Sequence, residues 1–200
     1  AAQKLYEQGH ITYMRTDSIT LSKQAVASIA SYVEKTYGKE YVDVRTYQSK
    51  VKNAQEAHEA IRPTNITKSH AGNTDDEKRV YELIHARTTA SQMCDAKTLR
   101  TKISATIADA DTHKFPDFSI NGSRIMFEGW LVADPASRGE EVEVPALQIR
   151  QKLSLFDITN TEKYTEPPSR YTEAGLIKEL EKRGIGRPST FASIMNTLEE

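Results

Sequence analysis

The chain has 200 residues, of which 38% are hydrophobic and 28% are charged, and its formal net charge is −1 at pH 7. These values are typical of a soluble globular protein with one medium-sized domain or two small ones, and they exclude the overall basic charge that attracts nucleic acids. The single cysteine, Cys94, excludes an internal disulfide bond and a cysteine-rich zinc site. Because the sequence has no membrane-spanning apolar run and no signal peptide, we expect a cytoplasmic protein without a membrane partner.

The first part of the chain is predicted to be helical. Residues 1–8 form the end of a helix that stops at Gly9. Residues 21–37 carry apolar side chains at helical spacing, and Ser18 or Thr20 is the expected N-terminal cap.

A further helix is predicted to begin at the capping box formed by Thr74 and Glu77 and to reach about Cys94. Before it, residues 55–61 form a short helix at most, because Pro63 disfavours the helical conformation in the preceding residue. The side chains expected to face inward from the helix that starts at the capping box are Val80, Leu83, Ile84, Ala90 and Met93.

Alternation with a period of two then replaces the helical pattern. Residues 99–108, 124–132 and 147–158 are predicted to be β-strands. The dipeptide Asn121-Gly122 lies between two strand-like stretches and predicts a tight hairpin turn.

A pair of prolines at 167–168 marks a boundary, after which helical patterns run from Thr172 to Gly184 and onwards from Pro188. The predicted fold class is therefore α+β. Since the chain begins and ends inside helical patterns, we expect it to belong to a longer protein. The predicted parts are a mostly helical domain at residues 1–97, a β-strand domain at residues 98–165 and a helical segment at residues 166–200.

The segment from Gly9 to Ser18 contains the candidate catalytic residues Tyr13 and Arg15. If this segment is extended, both side chains point to the same face. A tyrosine hydroxyl can form a covalent ester with phosphorus, and an arginine can bind a phosphate through two hydrogen bonds. Such a pair is most often an ordinary surface pair, so the spacing alone does not establish catalysis.

His58 is a further candidate within residues 56–62. A zinc-protease signature would need a second histidine where Arg62 stands, so that kind of site is excluded. By residue type, His58 is either a partly buried histidine hydrogen-bonded to a carboxylate or a donor to phosphate.

The segment from Gly184 to Thr190 is a candidate phosphate-binding site. Its glycines free the backbone, Pro188 suits the first turn of a helix, and a helix N-terminus attracts anions. Arg187, Ser189 and Thr190 would bind the phosphate, although a solvated corner between two helices fits the same residues. Because glutamates partly offset the nearby basic residues, we expect a modest, salt-sensitive affinity.

Two other features are expected to be structural. Asp109 and Asp111 have no third carboxylate nearby, so we interpret them as a solvated turn rather than a metal site. Trp130 is expected to pack in the core rather than to stack on bases.

Three segments resemble the motifs of one family. They are similar, in the same order, to the active-site motifs of bacterial type IA DNA topoisomerases. The resemblance implies that Tyr13 is the nucleophile, that His58 helps to hold the scissile phosphate, and that Arg187 and Thr190 lie beside the tyrosine and the DNA backbone. The segments are GHITYMRTDS at residues 9–18, QEAHEAIRPT at residues 55–64 and ELEKRGIGRPST at residues 179–190.

Members of this family cut one DNA strand through a 5′-phosphotyrosine, pass another strand and rejoin the cut, which relaxes negative supercoils. The resemblance implies single-stranded DNA as the partner, and we expect a monomer. It also implies that Mg²⁺ is bound by an N-terminal Toprim domain, which this chain lacks together with the C-terminal DNA-binding modules. We therefore expect no metal site in this chain and no cleavage by the chain alone.

Two other functions fit the same residues. One is a non-catalytic module that binds single-stranded DNA and keeps the fold without the reaction. The other is a metal-dependent hydrolase, which the missing ligand set disfavours.

Overall fold

The computed structural model describes residues 1–47, 58–107 and 116–199. The chain divides into two compact units, Ala1–Ala146 and Leu147–Glu200. Helices and a small antiparallel sheet occur together, which confirms the predicted α+β class, while the division into three parts stays a prediction. The elements are helices α1 (Ala2–Glu7), α2 (Lys23–Tyr37) and α3 (Asp75–Ala90), strands β1 (Lys97–Ala105) and β2 (Phe118–Phe127), and helices α4 (Glu173–Lys182) and α5 (Phe191–Glu199).

Helix α1 stops at Gly9, as predicted. Gly9 has a φ of 73°, a left-handed conformation that glycine adopts without a steric penalty. The Gly9 N–H donates to the carbonyl oxygen of Tyr6 and the His10 N–H donates to that of Leu5, each at 2.8 Å. These two bonds satisfy the last carbonyl groups of the helix and turn the chain into the tyrosine segment.

Helix α2 carries the buried stripe of one apolar cluster in the first unit. Its N-terminal cap is Ser22, whose Oγ accepts the Ala25 N–H at 3.3 Å. The predicted cap Ser18 instead accepts the Thr20 N–H in a local turn. Trp130 is half-buried against this cluster, as expected. The buried residues of the cluster are Ala25, Ile29, Val33, Ile66 and Met93.

Helix α3 begins at the predicted capping box and ends at Ala90, four residues before the predicted Cys94. The Thr74 Oγ1 accepts the Glu77 N–H at 3.3 Å, and the Glu77 carboxylate accepts the Asn73 N–H at 2.8 Å. The hydrogen bond from Asn73 is the main reason why the pKa of the buried Glu77 lies below its ordinary value.

The predicted inward face of α3 is wrong at Leu83, while Val80 and Ile84 pack against an apolar cluster and Met93, beyond the helix, is buried. Leu83 is 54% exposed, whereas Tyr81 and His85 are buried. The Tyr81 hydroxyl donates to the carbonyl oxygen of Lys68 at 2.7 Å, and the His85 Nε2 lies 2.8 Å from the carbonyl oxygen of Ile66. Because their polar atoms have partners, these rings can be buried, and apolar spacing alone therefore misses Tyr81 and His85.

Strands β1 and β2 form an antiparallel pair. Asn121 and Gly122 lie within β2, so the predicted hairpin turn is wrong. Gly122 is needed for a close approach instead, because a Cβ atom there would lie 2.5 Å from the Val144 Cγ2. At the next residue, Ser123 exchanges backbone hydrogen bonds of 2.9 and 3.0 Å with Val142, so a further segment runs beside β2.

The predicted strand at residues 147–158 does not form. The structure has no helix or strand between residues 147 and 172, and Phe156 is fully exposed there. A strand needs a neighbouring strand for its hydrogen bonds, and no described residue supplies one to this segment. The strand predicted at residues 124–132 also differs, since β2 ends at Phe127 and a 3₁₀ turn follows at Gly129–Val132.

The second unit contains α4 and α5. The Thr172 Oγ1 caps α4 by accepting the Gly175 N–H at 3.1 Å, and the chain turns at Gly184, where φ is 72°. The cap of α4 at Thr172 and the turn after it at Gly184 both agree with the prediction from sequence. Helix α5 begins at Phe191 rather than Pro188, which lies in the preceding turn. Across the described ranges of both units, no helix is both long enough and apolar enough to cross a membrane.

Candidate active site

The tyrosine segment is bonded to the segment that follows His58. Ile11 and Pro63 form an isolated antiparallel bridge. Beside it, the Thr12 N–H donates to the carbonyl oxygen of Arg62 at 2.9 Å. Two segments 50 residues apart in the sequence therefore meet like two very short strands.

Two threonine hydroxyls add to this pairing. The Thr12 Oγ1 donates to the carbonyl oxygen of Ala60 at 2.7 Å and accepts the Arg62 N–H at 2.9 Å. On the other side of the bridge, the Thr64 N–H and Oγ1 both donate to the carbonyl oxygen of His10, at 3.0 and 3.2 Å. The backbone groups of both segments are thus satisfied by partners in the other segment.

Glu59 ties the same segment to the start of α2. Its carboxylate accepts the Ser22 N–H at 2.7 Å and pairs with Arg62, whose Nη2 and Nε lie at 2.7 and 3.2 Å. The Ala60 N–H donates to the carbonyl oxygen of Thr20 at 2.8 Å. Burial disfavours the ionised Glu59, but the hydrogen bonds from Ser22 and Arg62 outweigh it and hold its pKa below the ordinary value.

These contacts bring Tyr13 and His58 together. Their ring centroids are 5.2 Å apart with an angle of 60° between the planes, and both residues are half-buried. Tyr6 of α1 packs edge-on against Tyr13 with a centroid distance of 5.4 Å. The Nδ1 atom of His58 is buried and has no hydrogen-bond partner in the described part of the chain, so the carboxylate bond considered from the sequence is not observed there.

Arg15 is more exposed than Tyr13. The chain bends at Met14 and Arg15, so the extended conformation on which the shared face depended is not present. Met14 packs against the apolar cluster that contains Leu5 and Ile11. Arg15 is exposed and makes no hydrogen bond or ion pair with a described residue, which leaves its guanidinium open to a ligand.

The second predicted site is a closed turn in the second unit. The Arg187 N–H donates to the Thr190 Oγ1 at 2.9 Å, and the Arg187 Nη1 donates to the carbonyl oxygen of Gly186 at 2.8 Å. Ser189 is exposed. Because these residues and Tyr13 belong to different units, their convergence on one phosphate stays a prediction.

The charges near this turn are partly neutralised, as expected. The Glu179 carboxylate accepts the Arg183 Nε–H at 2.7 Å and lies 4.0 Å from the Lys182 Nζ. The hydrogen bond from Arg183 lowers the pKa of Glu179, which keeps the carboxylate charged beside the basic residues.

A metal centre is not found among residues 1–47, 58–107 and 116–199, where no three His, Cys, Asp or Glu side chains are grouped to share an ion. Asp109 and Asp111 lie outside the described residues.

Sequence reasoning missed the residues that hold the candidate site together. Thr12, Glu59 and Arg62 all lie in or beside the recognised motifs, but nothing in the sequence marks their partners. The Ser22 N–H that Glu59 binds is 37 residues away, and the Arg62 N–H that Thr12 binds is 50 residues away.

Comparisons with known proteins identify the family. A sequence model of the DNA topoisomerase family matches residues 1–200. This chain belongs to that family.

The similar proteins are bacterial, and each is named DNA topoisomerase 1 or topoisomerase I. The Streptomyces coelicolor protein is 47% identical over 212 residues, covering 98% of this chain and 22% of its own length. The Mycobacterium tuberculosis protein is 44% identical over 218 residues, covering 100% and 23%. The full-length Thermotoga maritima structure gives a TM-score of 0.69 at 30% identity, covering 94% of this chain and 30% of that one.

The resemblance drawn from the three sequence motifs is thereby confirmed. This chain spans about a fifth of the length of the curated relatives it matches.

Proposed function

We propose that this chain supplies the nucleophile of a type IA DNA topoisomerase. The Tyr13 hydroxyl oxygen attacks a DNA phosphorus, which forms a 5′-phosphotyrosine and releases a 3′-hydroxyl. Attack of that 3′-hydroxyl on the phosphotyrosine later re-forms the phosphodiester and frees Tyr13. Passage of another strand between the two steps relaxes negative supercoils.

The contact between Tyr13 and His58 carries this proposal. A phenol has a pKa of about 10, so it needs a nearby base or positive charge to act as a nucleophile at neutral pH. His58 lies against the Tyr13 ring, where an imidazole N–H can donate a hydrogen bond to a phosphate oxygen held beside the tyrosine. The exposed guanidinium of Arg15 can stabilise the charge that develops on the phosphate.

The remaining groups have supporting roles in the proposal. Arg187, Ser189 and Thr190 bind the DNA backbone. In this proposal, Mg²⁺ and the acid that protonates the departing 3′-oxygen belong to a Toprim domain outside this chain. Single-stranded DNA is the substrate, and the protein acts in the cytoplasm as a monomer.

Covalent trapping tests the nucleophile. A full-length enzyme that carries this chain is incubated with labelled single-stranded DNA, denatured and separated on a gel. Tyr13→Phe should abolish the adduct, because only the attacking oxygen is lost, and it should leave DNA binding and folding nearly unchanged. Tyr6→Phe is the matched control, since it removes the same group from the adjoining ring and should retain the adduct.

An adduct formed by Tyr13→Phe would assign the nucleophile to another residue. If the parent enzyme binds DNA but forms no adduct, the chain is the non-catalytic DNA-binding module instead.

Arg15→Ala should lower the rate of adduct formation about 10²–10³-fold and leave a trace of product, because it removes charge stabilisation and keeps the bond-forming atom. Arg15→Lys keeps the charge but cannot form two parallel hydrogen bonds to a phosphate, so its rate of adduct formation should lie between those of the parent and Arg15→Ala. Equal rates for all three would remove Arg15 from the site.

The 200-residue chain alone should not cleave DNA, because an unprotonated 3′-alkoxide is a poor leaving group and the proposed acid lies in the Toprim domain. With a net charge of −1, the chain should bind single strands weakly, and less as salt rises. An adduct formed by the chain without a Toprim partner would show that the acid lies in this chain.

A further inference from the structure

The Thr12 side chain extends the pairing of the two segments towards His58. The backbone bridge itself involves Ile11 and Pro63. The Thr12 hydroxyl then binds both neighbours of Ile61, since it donates to the Ala60 oxygen at 2.7 Å and accepts the Arg62 N–H at 2.9 Å. One side chain therefore does what a further backbone pair would do in a longer sheet.

This place matters because, among the described residues, no hydrogen bond joins the Tyr13 and His58 side chains directly. His58 makes a ring contact with Tyr13, and its Nδ1 has no hydrogen-bond partner among the described residues. Tyr13 directly follows Thr12, and Ala60 lies two residues after His58. The distance between the rings therefore depends on how the two backbones pair at Thr12, where the hydroxyl bonds add to the bond from the Thr12 N–H to the Arg62 oxygen.

We propose that Thr12 is a positioning residue whose hydroxyl sets the register of residues 58–62 against Tyr13 and so holds the His58 imidazole beside the nucleophile. Its effect on DNA cleavage rests on the function proposed above for Tyr13. Its effect on the ring contact does not, and the two effects are measured separately.

Thr64 offers a matched control within the same pairing. Its hydroxyl donates to the carbonyl oxygens of Gly9 at 2.7 Å and His10 at 3.2 Å, on the side of the bridge away from Tyr13. Thr64→Val removes the same chemical group from the same two segments. If the hydroxyls only stabilise the fold, Thr12→Val and Thr64→Val should act alike.

The first measurement is the NMR shift of the His58 ring protons in the 200-residue chain. Tyr13→Leu supplies the reference value without the aromatic ring beside His58. Thr12→Val should move the His58 signals towards that reference, whereas Thr12→Ser, which keeps the hydroxyl, and Thr64→Val should leave them near the parent values. Unchanged signals in Thr12→Val, or equal movement in Thr64→Val, would overturn the proposal.

The second measurement is adduct formation at saturating single-stranded DNA in the full-length enzyme. Thr12→Val should be slower by about tenfold or more, because small misplacements of reacting groups are costly. Its DNA affinity should stay within about twofold, since the DNA-facing groups are unchanged. Thr12→Ser should restore most of the rate, and Thr64→Val should match the parent.

The combination of results separates the possible failures. A parent enzyme without any adduct would reject the proposed function, and the NMR shifts would still decide whether Thr12 positions the rings. A normal cleavage rate in Thr12→Val with displaced rings would show that the position of His58 does not govern the reaction. If Thr12→Val does not fold, Thr12→Cys takes its place, since a thiol is similar in size and hydrogen-bonds only weakly.

Discussion

Two stretches of the chain carry strand-like residues and differ in what they contact. In the paired segments around Ile11 and Pro63, the backbone groups find partners in the other segment, and Ile11 is 1% exposed. In residues 147–158, Ile149 is 96% exposed and no described strand lies alongside. Residues with a preference for strands therefore form one only where a distant part of the chain offers a partner.

This difference also explains where the candidate site lies. Tyr13 and His58 come from the two segments that do pair, and the bonds made by Thr12 and Glu59 are what bring them together. A site built at such a junction depends on residues that never touch the substrate. The comparison can be tested by changing equivalent residues in paired and unpaired stretches.

The largest effect on stability is expected from the same isoleucine change in the two regions. Ile11→Ala should lower the free energy of unfolding by about 2–5 kcal/mol, because it leaves a cavity in a buried cluster. Ile149→Ala should change it by less than about 0.5 kcal/mol, because the side chain is exposed. Urea denaturation measures both, and a comparable loss in the two variants would show that residues 147–158 are packed in solution.

A smaller effect is expected at a strand that does have partners. Gly122→Ala places a Cβ within 2.5 Å of the Val144 side chain and 3.0 Å of the Val142 oxygen. Overpacking of this kind should destabilise the chain by about 1–3 kcal/mol. Gly139→Ala is the control, since a Cβ there has no heavy atom within 4 Å. If Asn121-Gly122 formed a hairpin turn instead, the added Cβ would not meet Val144, and Gly122→Ala would not show this loss of stability.

The smallest effect concerns the charge that anchors the histidine segment. The pKa of Glu59 lies below the ordinary value of 4.5, so the ionised form is favoured in the folded state. Its contribution to stability is present above the ordinary pKa and is lost as the pH falls through the folded pKa. Glu59→Gln should lower the free energy of unfolding by about 1–2 kcal/mol at pH 7. The loss should be smaller in acid, because Glu59 of the parent is itself protonated there.

Unfolding is measured from pH 7 down to pH 3 for the parent, Glu59→Gln and Glu34→Gln, the last being an exposed charge on α2. The parent and Glu59→Gln curves should converge as the pH falls below 4.5, and Glu34→Gln should run parallel to the parent. A constant gap between parent and Glu59→Gln would contradict the lowered pKa.

The correct predictions from sequence concern interactions within a few residues. The stop at Gly9 and the caps at Thr74 and Thr172 depend on bonds to residues three to five positions away, which the sequence displays directly. The errors at Leu83 and Gly122 arose where a distant group decided the outcome. A carbonyl partner let Tyr81 be buried in place of Leu83, and Val144 required a glycine inside a strand.

The same contrast between local and long-range interactions applies to the candidate site. The sequence by itself determined the family, the end of α1, the start of α3, both ends of α4 and the choice of Tyr13 and His58 as candidate site residues. The tertiary structure alone decided that their rings meet, that Arg15 is exposed, and that Thr12 and Glu59 bond the segments that carry the two rings. The physical reason is distance along the chain, because no local sequence pattern predicts a hydrogen bond between groups 50 residues apart.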